Sequence, residues 1–141
     1  MKVEFDVTNL NVILDKLDDV VDDDSIRSAL GKACAVVERS AKENAPKDTG
    51  ALRQSITSEV RQEDGGWEGV VYTPLEYAPY VEYGTGKFAE SGKGRQTPWS
   101  YQDDEGNWHT TSGQRPQPFM RPALEENREK IVRLIKEGVL K

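Results

Sequence analysis

One histidine and one cysteine bound the chemistry this chain can attempt. His109 stands beside Trp108, and Cys34 sits in a run of small residues where it reads as a buried apolar side chain. A zinc site would need several carboxylates beside these two, brought together at a subunit interface. No metal and no cofactor are therefore expected. Ser-His-Asp catalysis would need a Gly-x-Ser-x-Gly elbow, which the sequence lacks. Gly84-Thr85-Gly86-Lys87 looks like the end of a phosphate loop, but Phe88 follows the lysine where a Ser or Thr is required. Glu82 could serve as a general acid only with a second carboxylate fixed nearby, and none is nominated. It reads as a solvated or cap-bonded acid, and the chain reads as a non-enzyme.

Two groups of residues could instead make contacts. Tyr77, Tyr80 and Tyr83 recur at i, i+3 and i+6 with Val81 beside them. Such a stripe either packs into a core with its hydroxyls at the edge or forms an interface, where tyrosine is enriched. Lys87, Lys93 and Arg95 stand among Gly86, Gly92 and Gly94, a basic loop that could meet DNA or remain solvated.

The chain has 141 residues, enough for one domain with a modest core, and its hydrophobic content of 35% is low. Net charge is −6, and residues 1–24 account for all of it, with eight acids against two bases. The remainder is neutral, so nucleic acid is not the expected ligand of the chain as a whole. Val3, Phe5 and Val7 alternate with charged or polar residues, unlike a secretory leader, and no apolar run approaches the roughly 20 residues of a membrane span. A lone cysteine suits a reducing compartment.

Leu10, Ile13, Leu14, Leu17 and Val21 predict a helix over residues 9–21. A second helix is expected over 25–44, capped by Ser25, with the face Ile26, Ala29, Leu30, Ala33, Val37 and Ala41 small enough for close approach, and Pro46 ending it. Residues 55–73 alternate around Asp64-Gly65 and predict a β-hairpin. Residues 86–114 read as a flexible loop followed by a second hairpin, and 122–137 as a last helix with Pro122 at its first position. The expected fold is a single α+β domain: two N-terminal helices, an antiparallel hairpin sheet and a C-terminal helix around one core.

Residues 45–56 (Pro-x-x-Thr-Gly-x-Leu-x-x-Ser-Ile), 77–86 (Tyr-Ala-x-x-Val-Glu-Tyr-Gly-Thr-Gly) and 117–124 (Pro-Phe-x-Arg-Pro-Ala within them) each join backbone-fixing residues to core anchors. In this order and separation they resemble the gp-ten-like family of phage minor virion proteins, neck or tail-completion components of long-tailed double-stranded DNA phages and prophages. The resemblance implies a virion protein, made in the bacterial host cytoplasm, that joins heads to tails. It also implies contacts with other neck, connector and tail proteins, and a homo-oligomeric ring. Asp48, Arg53, Tyr77, Tyr80, Glu82, Tyr83, Phe119 and Arg121 become the candidate subunit-interface residues. The charged ones are expected to be exposed, so that reversing them spares the fold. A DNA-contacting accessory that uses Lys87, Lys93 and Arg95 is the alternative.

Overall fold

The computed structural model describes residues 1–6, 22–47, 50–63 and 66–139. Among them the chain is a mixture of helices and antiparallel sheet, an α+β fold. The residues expected as one domain fall into two compact units, Met1–Pro74 with Phe119–Lys141, and Leu75–Pro118. The helix expected over 9–21 lies outside the described residues.

The first unit opens with β1 (Lys2–Asp6), a strand not anticipated from sequence, although Val3 and Phe5 carry the alternation of one. It pairs with β3 (Gly66–Tyr72), which also pairs with β2 (Thr57–Glu63), giving the order β1-β3-β2. The β2–β3 pairing is the hairpin predicted over 55–73, with Thr57 opposite Tyr72 and Glu63 opposite Gly66. Arg61 binds Glu68 across this pair and lies 3.6 Å from Glu4 on β1. All three charges fall on one side of the sheet, as the period of two requires.

Helix α1 (Asp23–Asn44) packs on β2 and β3. Its N-cap is Asp22, whose carboxylate accepts from the Ser25 amide at 2.7 Å, so the helix starts before the predicted cap at Ser25. Asp23 and Asp24 then occupy the first turn, where acids complement the helix dipole. At the other end, Pro46 holds Ala45 extended and stops the helix. The small face Ala29, Leu30, Ala33, Cys34, Val37 and Ala41 is fully buried. It admits the C-terminal helix so closely that a Cβ on Gly138 would lie 2.7 Å from the Ala29 Cβ.

Where one C-terminal helix was expected there are two, α4 (Met120–Glu126) and α5 (Arg128–Val139). The Asn127 side chain donates to the Ala123 carbonyl at 2.7 Å, an alternative to helical continuation that asparagine readily takes. Pro122 sits third in α4 rather than first, still within the turn where an amide has no helical partner. Phe119, Met120, Ala123, Ile131 and Ile135 complete the core.

Cys34 is buried, and its thiol donates to the Glu59 carbonyl at 3.6 Å. Burial pushes its pKa up to about 11 from 9.0. The folded chain thus holds the proton more tightly than the unfolded chain. Stability from this group is complete below about pH 9 and falls as pH rises toward 11, by about 1 kcal/mol per pH unit. Urea midpoints at pH 7 and pH 10 should show a larger loss in the native protein than in Cys34→Ala. Equal losses would mean that the thiol is not desolvated.

Candidate functional site

The second unit, Leu75–Pro118, has few side chains to bury. Helix α3 (Ala78–Tyr83) turns Ala78, Val81 and Glu82 inward, a set at i, i+3 and i+4. The interleaved set faces water: Tyr77 is 42% exposed, Tyr80 58% and Tyr83 42%. The core-packing alternative for these tyrosines is thereby set aside. Gly84 ends the helix at φ 81, and a 3₁₀ turn (Gly86–Phe88) follows.

Strands β4 (Trp99–Gln102) and β5 (Trp108–Thr111) form a separate two-stranded sheet. Its register pairs Tyr101 with His109 and Gln102 with Trp108. Tyr101 and Trp108 are also exposed, at 47% and 69%. All five exposed large hydrophobic side chains among the described residues therefore belong to this one unit. Sequence reasoning did not single out Tyr101 and Trp108. The signal was available, since a short two-stranded hairpin rich in aromatics but without a Leu, Ile, Val or Met on either strand has little apolar material to bury them.

Backbone hydrogen bonds hold the unit together in place of an apolar core. Thr85 donates to the Gln114 carbonyl at 2.9 Å, Lys87 to Ser112 at 3.2 Å, Glu90 to Tyr83 at 2.9 Å and Gln117 to Val81 at 2.8 Å. The Thr85 hydroxyl accepts from the Gln114 amide at 2.9 Å. These bonds tie the start of the predicted loop to the segment after the second hairpin. Residues 89–98 that follow the 3₁₀ turn have neither helix nor strand.

His109 is engaged in the hairpin. Its Nε2 lies 2.7 Å from the Asp103 carboxylate, and its ring stacks on Tyr101 with centroids 5.3 Å apart. Asp103 also accepts from the Glu105 and Asn107 amides at 3.0 and 2.8 Å. The His109 hydrogen bond, then those turn amides, hold its carboxyl below the usual range. The group works as a clasp on the β4–β5 turn. Among the described residues no cluster of three or more His, Cys, Asp or Glu side chains is placed to hold a metal ion.

The three candidate DNA contacts, Lys87, Lys93 and Arg95, are exposed. Lys87 lies 5.1 Å from the Phe88 ring centroid, with Arg115 at 4.6 Å from the same ring, and Arg95 lies 5.8 Å from that of Trp99. Cations so placed are held partly by aromatic faces. Leu75–Pro118 carries six acids and four bases, so the unit as a whole presents no basic field.

The other candidate interface residues are placed quite differently from the tyrosines. Phe119 and Glu82 are both 0% exposed, so neither can meet a neighbour, and Glu82 is not a solvated acid. Reversing the Glu82 charge would leave a like-sized cation buried where a carboxylate was accommodated, which cannot spare the fold. Arg121 is half-buried in the first turn of α4. Asp48 lies outside the described residues.

Arg53 is half-buried on α2 (Ala51–Ser55), the helix within the first recognised segment. Leu52 and Ile56 anchor this helix in the core, and the Ser55 hydroxyl reaches both the Leu52 carbonyl at 2.6 Å and the Thr73 hydroxyl at 2.7 Å. The Arg53 Nε and Nη2 atoms are buried and have no hydrogen-bond partner among the described residues. Leaving a buried donor unmatched costs about 1–3 kcal/mol. Around it, Glu38, Arg39, Lys42, Glu43 and Lys47 complete a cleft of ≈ 370 Å³.

The family model described as "Bacteriophage HK97-gp10, putative tail-component" matches residues 12–84, just over half of the chain. The match takes in both α2 and the tyrosine helix α3. No curated protein and no solved structure matches the chain.

Proposed function

We propose a role at the head–tail junction for this chain, which belongs to the HK97-gp10-like family of phage tail components. Family membership supports a structural role in the virion. The finer reading is that the protein takes part in neck formation or tail completion, without catalysis, by contacts with other neck, connector and tail proteins and with copies of itself in a ring. It is made in the host cytoplasm before it joins the particle.

The observation that carries this reading is the confinement of Tyr77, Tyr80, Tyr83, Tyr101 and Trp108 to one unit that has little core of its own. Exposed aromatic groups of this kind mark protein interfaces, and tyrosine and tryptophan are frequent among the residues that dominate binding. The test is a phage or prophage whose copy of the gene carries Tyr77→Ser, Tyr80→Ser and Tyr83→Ser together. Loss of one dominant contact costs about 2 kcal/mol or more, so the triple change should lower titre by at least about a hundredfold. Electron microscopy should show filled heads separate from tails, while the purified variant melts within a few degrees of the native protein. Normal titre with normal melting would remove the tyrosines from the assembly role.

The DNA-contacting alternative draws on the exposed Lys87, Lys93 and Arg95. It predicts a duplex mobility shift that weakens steeply with salt and disappears when the three are changed to alanine. The acidic balance of the same unit weighs against it.

A further inference from the structure

The β4–β5 hairpin is structurally incomplete. Its sheet has two strands, and among the described residues no backbone hydrogen bond from outside the hairpin reaches Trp99–Gln102 or Trp108–Thr111. Both faces are open: the register sets Tyr101 and His109 on one, Gln102 and Trp108 on the other, and all four are exposed. A two-stranded hairpin this short is marginal in water unless a third strand or a helix packs on it. What holds it is polar, namely the Asp103–His109 clasp and a 3.1 Å bond between the Ser100 and Thr110 hydroxyls.

The hairpin is also acidic. Residues 99–111 carry Asp103, Asp104 and Glu105 with no lysine or arginine. Asp103 is committed to His109 and to two turn amides. The exposed Asp104 and Glu105 carboxylates have no partner among the described residues. The bases of the unit are engaged elsewhere, Lys87 and Arg115 at the Phe88 ring and Arg95 at that of Trp99. No cation lies over the Trp108 ring among the described residues.

We infer that the hairpin is completed by an extended, arginine- or lysine-bearing segment of another virion protein, which adds to a free edge and sets a cation against Trp108 and the Asp104–Glu105 turn. The edge supplies backbone hydrogen bonds, which require an extended segment but do not read its side chains. The side-chain selection comes from the turn carboxylates and the indole face, both of which favour a cation. Arginine suits the two together, since its planar guanidinium can stack and pair at once. The inference deepens the proposed assembly role and rests on it for the source of the segment.

The test uses the full chain and the acetylated, amidated peptide Thr-Arg-Val-Arg-Thr-Arg-Val, followed in nitrogen-15 spectra at low salt. The Trp108 indole N–H and the amides of residues 99–111 should shift, with a dissociation constant of about 1 mM or tighter. The outward amides of one strand should exchange more slowly when the peptide is bound. Trp108→Ala should weaken binding roughly tenfold or more, while Trp108→Phe should keep most of it because a ring remains. Asp104→Asn with Glu105→Gln should weaken it roughly fivefold, a difference that disappears in about 0.5 M salt. The same peptide with citrulline for arginine should bind at least roughly fivefold more weakly. These side chains are exposed, so each variant should melt with the native protein.

Several results would overturn the inference. No shift at about 5 mM peptide would remove the site. Equal binding of the citrulline peptide would reject the cation, and shifts confined to residues outside 99–111 would reject the hairpin. Self-association that Trp108→Ala abolishes would make the occupant a second copy of the chain. Indole shifts caused by a single-stranded oligonucleotide but not by the peptide would make the hairpin a base-stacking surface. A failed peptide titration beside lost titre in the tyrosine variants would sink this inference and leave the assembly role standing. Peptide binding beside normal titre in those variants would do the reverse.

Discussion

Phe119→Ala should destabilise the protein by about 3–5 kcal/mol, the largest loss expected from any single truncation here. Phe119 heads the set of largest side chains that are wholly buried, and it closes the same core as Leu30, Ile56, Met120, Ile131 and Ile135. Its carbonyl also accepts from the Asn44 side chain at 3.3 Å, which ties the start of α4 to the end of α1. Alanine would leave a cavity among side chains that converge from several elements and cannot all collapse into it. The melting temperature should fall by roughly 10–20 °C for a chain of this size. A fall of only a few degrees, with assembly lost, would return Phe119 to a surface role.

Gly113→Ala should damage the second unit selectively. Gly113 has φ 116, a conformation rarely open to a residue with a side chain, and its added Cβ would lie 2.2 Å from the Thr85 carbonyl oxygen. Gly86 faces it with φ 61, and a Cβ there would lie 2.3 Å from the Ser112 carbonyl oxygen. Two backbone segments thus touch where only glycine fits. The clash is with main chain, so no rotamer change relieves it. Backbone strain and overpacking together should cost about 2–5 kcal/mol. Because hydrogen bonds rather than an apolar core organise Leu75–Pro118, faster amide exchange should be confined to that unit. Heads and tails should also fail to join, since the aromatic groups would no longer be held in place. Unchanged exchange in Gly113→Ala would show that the crossing tolerates a methyl group.

Much of the scaffold was legible because local rules and tertiary structure agree. The small face of α1, its stop before Pro46 and the β2–β3 hairpin follow from period, cap and turn residues. The family could be recognised for the same reason. Its segments consist of residues that set local backbone and anchor it, such as Gly50 at φ 72 with Leu52 and Ile56 buried behind it. Errors arose where local options were nearly equal. Asp22 and Ser25 both make good caps, and Asn127 can either continue a helix or interrupt it.

By itself, the sequence determined that Tyr77, Tyr80 and Tyr83 form one stripe and that the Pro-Phe-x-Arg-Pro-Ala segment carries one large aromatic group. It could not determine whether that stripe faces water or whether that group lies inside, because periodicity fixes the relation between residues but not the direction of the core. The tertiary structure decided both. Ala78, Val81 and Glu82 turn inward and leave three tyrosines exposed, while Phe119 goes into the core shared by α1, α4 and α5. The unmatched Arg53 donors were likewise invisible in sequence, since a donor is unmatched only by what the other described residues fail to bring near it.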